Sequence, residues 1–318
     1  MEIRKLQLIG GSSYMISLPK NWIKANNLNQ GDELILQVDK CVIKVYPKKG
    51  ADDVLRVEIN RIPKYDDKFL RRFIYALYIQ GPDEIVIKDR SSSRIVAKLS
   101  EIVRDLIGME IIDVTDSKIV MKCLTTSDFD IFGVLRRMSQ IICEMIDILE
   151  EYLRKKNASV LSIIPKLEDD ADRFYLLAIR LEHRRLKEIS CPTRWDEMKQ
   201  LIGSRIVAKL LEEIADSLYD LSEFVLYVQK DEDILPVLLD LRRVFKCVLD
   251  SYFNGDVVLC EDMIEMTEDL EEKIFEIRGR DNKAPCKLAL ESLLDACRHI
   301  KSIGEIAFNK AIRETFTV

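Results

Sequence analysis

The chain has 318 residues, 49 Lys/Arg against 55 Asp/Glu, and an apolar share of 47%. That is too long for one core, because single cores stop growing near roughly 250–300 residues. Its longest purely apolar runs, such as residues 224–228, fall far short of the roughly 20 residues that span a bilayer as a helix, so a membrane span is excluded.

Residues 1–48 alternate with a period of two: Leu6 and Leu8, then Tyr14, Ile16 and Leu18, then Leu34, Leu36 and Val38, then Cys41, Ile43 and Val45. Four short strands are predicted, with a helical insert at PKNWIKANNL and a tight connection at Asp39-Lys40. A segment with so few large apolar groups cannot build a core alone, and dimerisation through it is expected. After a polar break at 46–53, residues 51–124 read strand, helix, strand, helix, strand, strand, which implies a small sheet backed by two helices. From residue 125 onward the period is 3.6, predicting six helices near 129–156, 159–190, 196–230, 233–254, 257–280 and 285–316. Breaks fall at Asn157-Ala158, 190–194, Lys230-Asp231, Asn254-Gly255 and 281–285.

Charge is unevenly spread. Residues 1–50 hold 8 Lys/Arg against 4 Asp/Glu, 51–124 hold 13 against 13, and 125–318 hold 28 against 38. A basic head on an acidic body suits a polyanion-binding module joined to something that is not one. Eight cysteines lie scattered without a C-x-x-C pair, as expected of reduced core residues in a reducing compartment. The opening residues are β-patterned, without a basic stretch leading into an apolar one, so a cytoplasmic protein without a signal peptide is expected. The two histidines lie far apart: His183 among basic groups near a helix end, where it reads as a cation facing the helix dipole, and His299 between Arg298 and Lys301, where it reads as a surface group. Neither has a nucleophile or carboxylate partner in sequence, so no catalytic residues and no enzyme are expected.

Two constellations stand out. In GGSSYMISLPKNW (10–22), Gly10-Gly11 permits positive φ, and Ser12 and Ser13 are short-range phosphate donors surrounded by Arg4, Lys5, Lys20 and Lys24. The same residues would also serve a glycine hinge with solvated lysines. In the helical part, Glu168 and Asp172 lie four apart, as do Glu212, Asp216 and Asp220, with Glu223 on the next turn. Such spacing projects carboxylates from one helix face, where they can share a hard cation. Oxygen donors without histidine favour Mg²⁺, Mn²⁺, Ca²⁺ or an oxygen-bridged iron cluster. Chance alone gives roughly seven such acid pairs in a segment this acidic, so solvated helix faces account for the spacing equally well. Sliding the sequence by 97 residues lays Glu168 and Asp172 on Glu265 and Asp269, a hint of internal duplication.

The run from Arg4 to Pro47, with its strand, Gly-Gly-Ser-Ser, strand, Leu-Pro-Lys order, its Trp22-Ile23 pair and its Gly31-Asp32-Glu33 entry to the third strand, resembles the AbrB/MazE/SpoVT family of swapped-hairpin dimers. That resemblance implies DNA contact by Arg4, Lys5, Ser12, Ser13, Lys20 and Lys24. Residues 128–318, through LEDDADRFYLL and LEEIADSLYDLSEF, resemble the PhoU family of duplicated three-helix bundles, in which acidic motifs bind metal clusters and the protein regulates phosphate uptake. Glu168, Asp172, Glu212, Asp216 and Asp220 would then be metal ligands. The second half departs from that pattern, with Arg298 and Ser302 where carboxylates are expected and only Glu305 retained.

The expected protein is multidomain α+β: a swapped-hairpin β dimer module over 1–50, a small α/β connecting domain over 51–124, and all-α duplicated three-helix bundles over 125–318. The two resemblances together imply an archaeal-type, DNA-binding transcriptional regulator of phosphate uptake that forms a homodimer, with a body that senses metal, phosphate or a partner. The competing reading is an adaptor that docks on a phosphate transporter ATPase or a signalling kinase and uses the N-terminal domain only to dimerise. A redox or storage bundle ranks below both, because the Glu-x-x-His motif of such bundles is absent.

Overall fold

The computed structural model describes residues 3–11, 13–39, 42–48, 54–89, 92–124, 130–188, 195–228, 233–280 and 283–316. Ser12, Lys40, Cys41, residues 125–129 and all or part of the expected breaks at 46–53, 190–194, Lys230-Asp231 and 281–285 lie outside the described residues. The chain divides into two compact units, one over 1–54 with 191–193, the other over the remainder.

The first unit contains β1 (Gln7–Ile9), β2 (Ser13–Met15), α1 (Lys20–Ala25), β3 (Leu34–Asp39) and β4 (Val42–Pro47). They form two antiparallel hairpins, β1–β2 with Leu8 opposite Tyr14 and β3–β4 with Leu36 opposite Val45. Gly10 and Gly11 turn the first hairpin with φ of 62° and 76°, a region that residues with a Cβ rarely adopt. No described residue of this unit is buried.

The second unit opens with β5 (Arg56–Ile59), α2 (Asp67–Ile79), β6 (Glu84–Ile87), α3 (Ser92–Arg104), β7 (Met109–Thr115) and β8 (Lys118–Cys123). The sheet order is β5-β6-β8-β7, with β5 parallel to β6 and the remaining pairs antiparallel. The last strand therefore inserts between its two predecessors rather than adding at the edge. Ile85, Ile87, Ile119 and Met121 are fully buried from the sheet, and Leu70, Ile74 and Leu99 from the helices complete the core. Asp66 starts α2 by accepting from Phe69 N–H at 2.9 Å, a standard N-cap.

The helical part comprises α4 (Ile131–Lys155), a 3₁₀ turn (Ala158–Ile163), α5 (Ile164–Glu188), α6 (Trp195–Val225), α7 (Ile234–Asn254), α8 (Val257–Gly279) and α9 (Ala284–Phe316). Lys156 ends α4 in the left-handed conformation and Asp256 caps α8 through Leu259 N–H, so both breaks are chemically specified. Helices α4 to α6 form one half and α7 to α9 the other, and the α6–α9 seam is the most extensive helix contact. The seam runs antiparallel, with Gly203 near the start of α6 facing Ile306 near the end of α9.

The sheet domain is fastened to the bundle by basic residues of α5. Arg180, only 2% exposed, donates to Tyr78 O at 2.9 Å and Pro82 O at 2.7 Å. Its guanidinium also lies 4.9 Å from the Tyr78 ring centroid. Arg184 donates to Gly81 O at 3.0 Å and to Asp83 Oδ1 at 2.5 Å, and Lys187 to Gln80 O at 3.1 Å. These carbonyls close the C-terminal end of α2, where orphan acceptors need donors. Burial pushes the Asp83 carboxyl up, but the Leu55 N–H and Arg184 together hold it below its ordinary range. Gly81 adopts φ of 83°, and a Cβ there would stand 2.7 Å from Arg184 Cγ, so glycine is required for both conformation and space.

Replacing Arg180 by Ala removes the donor to the buried Pro82 O, leaves Tyr78 O with only the Gly81 N–H, and should destabilise the chain by about 2–3 kcal/mol. Arg180→Lys should recover little of this, since an ammonium lacks the planar fork that reaches both acceptors. Denaturant unfolding of the three proteins checks this, and a lysine variant as stable as the wild type would refute the clamp.

Candidate functional site

Helix α5 presents Glu168 and Asp172 one turn apart, and α6 presents Asp216 opposite them. One carboxylate oxygen from each lies within 4.8 Å of the others. A second set, Glu212, Glu213 and Asp216, meets the same limit, so Asp216 belongs to both. Metal–oxygen bonds of about 2.0–2.6 Å allow two ligands of one ion to stand up to roughly 5 Å apart. Either triplet therefore fits a hard divalent cation, and the all-oxygen donor set agrees with that choice.

The electrostatics of the cluster point the same way. Burial, then the charge of Asp172 and Asp216, pushes Glu168 up to about 7. Burial, then Glu212, pushes Asp172 up to about 6, and burial with Glu212 and Asp172 does the same to Asp216. Among the described residues, none of these three carboxylates makes an ion pair. Lys209, one turn before the second set, pairs with Glu212 and lies 2.7 Å from Glu213, and those partners raise its pKa despite burial. Lys209 thus pairs with one edge of the cluster and only partly offsets the charge at Asp172 and Asp216, whose carboxyls stay raised.

Asp220 and Glu223 are exposed and belong to neither oxygen cluster. Each four-residue step advances about 400° around a helix, so Asp220 has rotated roughly 80° from Glu212 and faces water. In the second half, Glu265, Asp269 and Glu305 are exposed and join no cluster among the described residues. There, α9 supplies cations to α8. Arg298 meets Glu271 at 3.2 Å, and Lys301 meets Glu268 at 3.0 Å and Glu271 at 3.6 Å. The second half has ion pairs between α8 and α9, whereas α5 and α6 bring repelling carboxylates together.

His183 is partly exposed beside Glu182. His299, expected at the surface, is half-buried. Burial lowers its pKa, while Glu213 and Asp295 oppose that effect. The sequence reading missed Lys209 and Glu213, although Lys209 precedes Glu212 and Glu213 by three and four residues, a spacing that signals an ion pair on a helix.

In the first unit, Arg4, Lys5, Ser13, Lys20 and Lys24 are exposed, and Ser12 lies outside the described residues. Their neighbours include a large exposed apolar set: Leu6 is 66% exposed, Leu8 57%, Tyr14 71%, Leu36 64% and Val38 70%.

The family model for MazE, the bacterial antitoxin of antidote–toxin recognition, matches residues 7–53. The PhoU domain model matches residues 135–225, which take in most of α4, all of α5 and all of α6. The chain fuses a MazE/AbrB-like domain to a PhoU domain. No curated protein matches it. The first resemblance is met over residues 7–53 and the PhoU resemblance over 135–225 of the 128–318 for which it was drawn; the acidic cluster lies wholly within the PhoU match. Among the described residues, no helix is long and apolar enough to cross a membrane.

The raised carboxylates have a consequence for stability. Their folded pKa values, about 7 and about 6, exceed the unfolded ones of about 4. The folded state therefore binds more protons through that window, and stability falls as pH rises through it. Both groups still touch water, so the expected effect is only about 1 kcal/mol each. Glu168→Gln and Asp172→Asn should each raise the melting temperature by roughly 2–4 °C at pH about 8 in metal-free buffer, and by nothing near pH 4. Millimolar Mn²⁺ should raise the melting temperature of the wild type and not of the double variant. Equal Mn²⁺ responses would remove the site.

Proposed function

We propose that the chain is a DNA-binding transcriptional regulator of phosphate homeostasis, homodimeric through its first unit, with a helical body that takes a divalent metal or iron cluster at Glu168, Asp172 and Asp216, flanked by Glu212. One observation carries the reading: the first unit has no buried residue among those described, yet it holds Leu8, Ile9, Tyr14, Leu36 and Val38 exposed in two formed hairpins. Exposed apolar side chains of this size on regular strands need a partner surface, and a second copy supplies one of identical pattern. Pairing also doubles the positive charge carried by Arg4, Lys5, Lys20 and Lys24, which favours a polyanion. Neither matched family is enzymatic, in keeping with the want of a nucleophile–base pair in the sequence.

The role of each group follows from its chemistry. Arg4 and Lys5 would neutralise backbone phosphates, while Ser12 and Ser13 at the glycine turn would donate short hydrogen bonds to the same strand. With so few arginines in this unit, phosphate and shape readout would dominate over base contacts. A bound metal would gather the carboxylates of α5 and α6 and relieve their mutual repulsion.

A mobility-shift assay with DNA upstream of the protein's own gene, over a range of salt, tests the reading. Affinity should fall steeply with salt, and the Arg4→Ala/Lys5→Ala variant should flatten the log–log slope by roughly two to four, counting both copies. An unchanged slope would sink DNA contact by this strand. A stable dimer that shifts no DNA would favour the adaptor that docks on a phosphate transporter or a signalling kinase.

A further inference from the structure

The seam between the two halves of the bundle opens, near the start of α6 and the end of α9, into a half-open cavity of about 280 Å³. Its wall is apolar. Ile202 and Ile206 of α6 remain 46% and 47% exposed, and Ile306 of α9 faces Gly203, where even an added Cβ would stand 3.7 Å away. Two isoleucines one turn apart and half in water leave apolar area that a ligand can cover. Beneath them sits Tyr252 at the end of α7, 2% exposed, with its hydroxyl 3.1 Å from Ser204 Oγ. The cavity therefore has a rigid floor.

Three cations, Lys199, Lys310 and Arg313, line the same cavity. This runs against the trend of residues 125–318, where acids outnumber bases by 38 to 28. The Lys310 side chain is only 12% exposed, and its ammonium donates to Tyr252 O at 2.8 Å. Its ion pair with Glu314 is long, at 3.7 Å. An ammonium carries three donors, so one withdrawn from water with a single short hydrogen bond retains capacity for an anion. Among the described residues Arg313 makes no ion pair.

We propose that this cavity binds a small organic phosphate monoester, its phosphate held by Lys310, Arg313 and Lys199 and its apolar arm laid along Ile202, Ile206 and Ile306. Lys199 is partly answered by Asp196 at 3.5 Å and Lys310 by Glu314 at 3.7 Å, yet with Arg313 they leave a surplus of positive charge that a phosphate can use, and the isoleucine wall requires an ester arm that inorganic phosphate lacks. The ligand would touch α6 of one half and α9 of the other, across the seam that joins them.

Calorimetric titration of the full chain with phenyl phosphate, beside inorganic phosphate and phenol, tests this. Phenyl phosphate should bind at least tenfold more tightly than either control. Arg313→Ala should weaken it about tenfold, the loss of one charge-assisted hydrogen bond, and Ile206→Asp, placed at a half-exposed wall, should weaken it at least as much. Circular dichroism establishes that both variants fold, and Lys199→Ala replaces either that does not. Absence of saturable heat with millimolar phenyl phosphate overturns the proposal. Inorganic phosphate binding as tightly as the ester, or an affinity unmoved by the substitutions, overturns it equally.

Discussion

Arg180 places a full positive charge where water hardly reaches, at 2% exposure, and such a charge survives only when its donors are answered. They are answered by backbone, not by a carboxylate: Tyr78 O and Pro82 O accept from it and the Tyr78 ring lies beside it. The Tyr78 carbonyl also accepts from Gly81 N–H at 3.0 Å, so Arg180 adds a second donor where the helix ends. Two separately costly features, a buried guanidinium and an unfinished helix terminus, thus satisfy each other. The sheet domain and the bundle have separate cores, joined by this contact and by apolar packing of Leu176 on the sheet-domain core and Ile107 on the bundle core.

Helix α5 is central in a second sense. It carries Glu168 and Asp172 in its first half and Arg180 and Arg184 in its second, with Asp172 and Arg184 roughly 18 Å apart along a helix. The charge of Asp105, just beyond α3 in the sheet domain, also adds to the raised pKa of Asp172. The two halves of the bundle share an architecture and differ in charge logic. Carboxylates oppose one another between α5 and α6, whereas α9 answers the acids of α8 with Arg298 and Lys301. Duplicated scaffolds keep their apolar stripes, which packing demands, and let polar faces diverge.

Much of this was legible in the residues. The helix predicted over 129–156 is Ile131–Lys155, and that over 257–280 is Val257–Gly279, because long apolar periodicity and specific caps leave little freedom. The strands were legible for the same reason, but their order was not, since alternation says which face is buried and nothing about which strand is the neighbour. Glu168, Asp172 and Asp216 come together because their spacing projects them from facing helices. Asp220 does not, because a spacing of four drifts around the helix with each repeat. Arg180 was invisible, since a lone arginine in an amphipathic helix reads as surface until a second element closes over it. The cavity beside Tyr252 was invisible too, as it is assembled from three helices distant in sequence.

The hairpins of the first unit have no interior among the described residues, so the pairing proposed above would bring mass action into play. A fold whose inside exists only between two copies has no stability independent of concentration. At low abundance a head that pairs in this way would be mostly unformed, and its ordered fraction would climb faster than the number of chains. Occupancy of a target would then answer to how much protein the cell holds as well as to any signal received by the body, so the amount of the chain becomes an input in its own right.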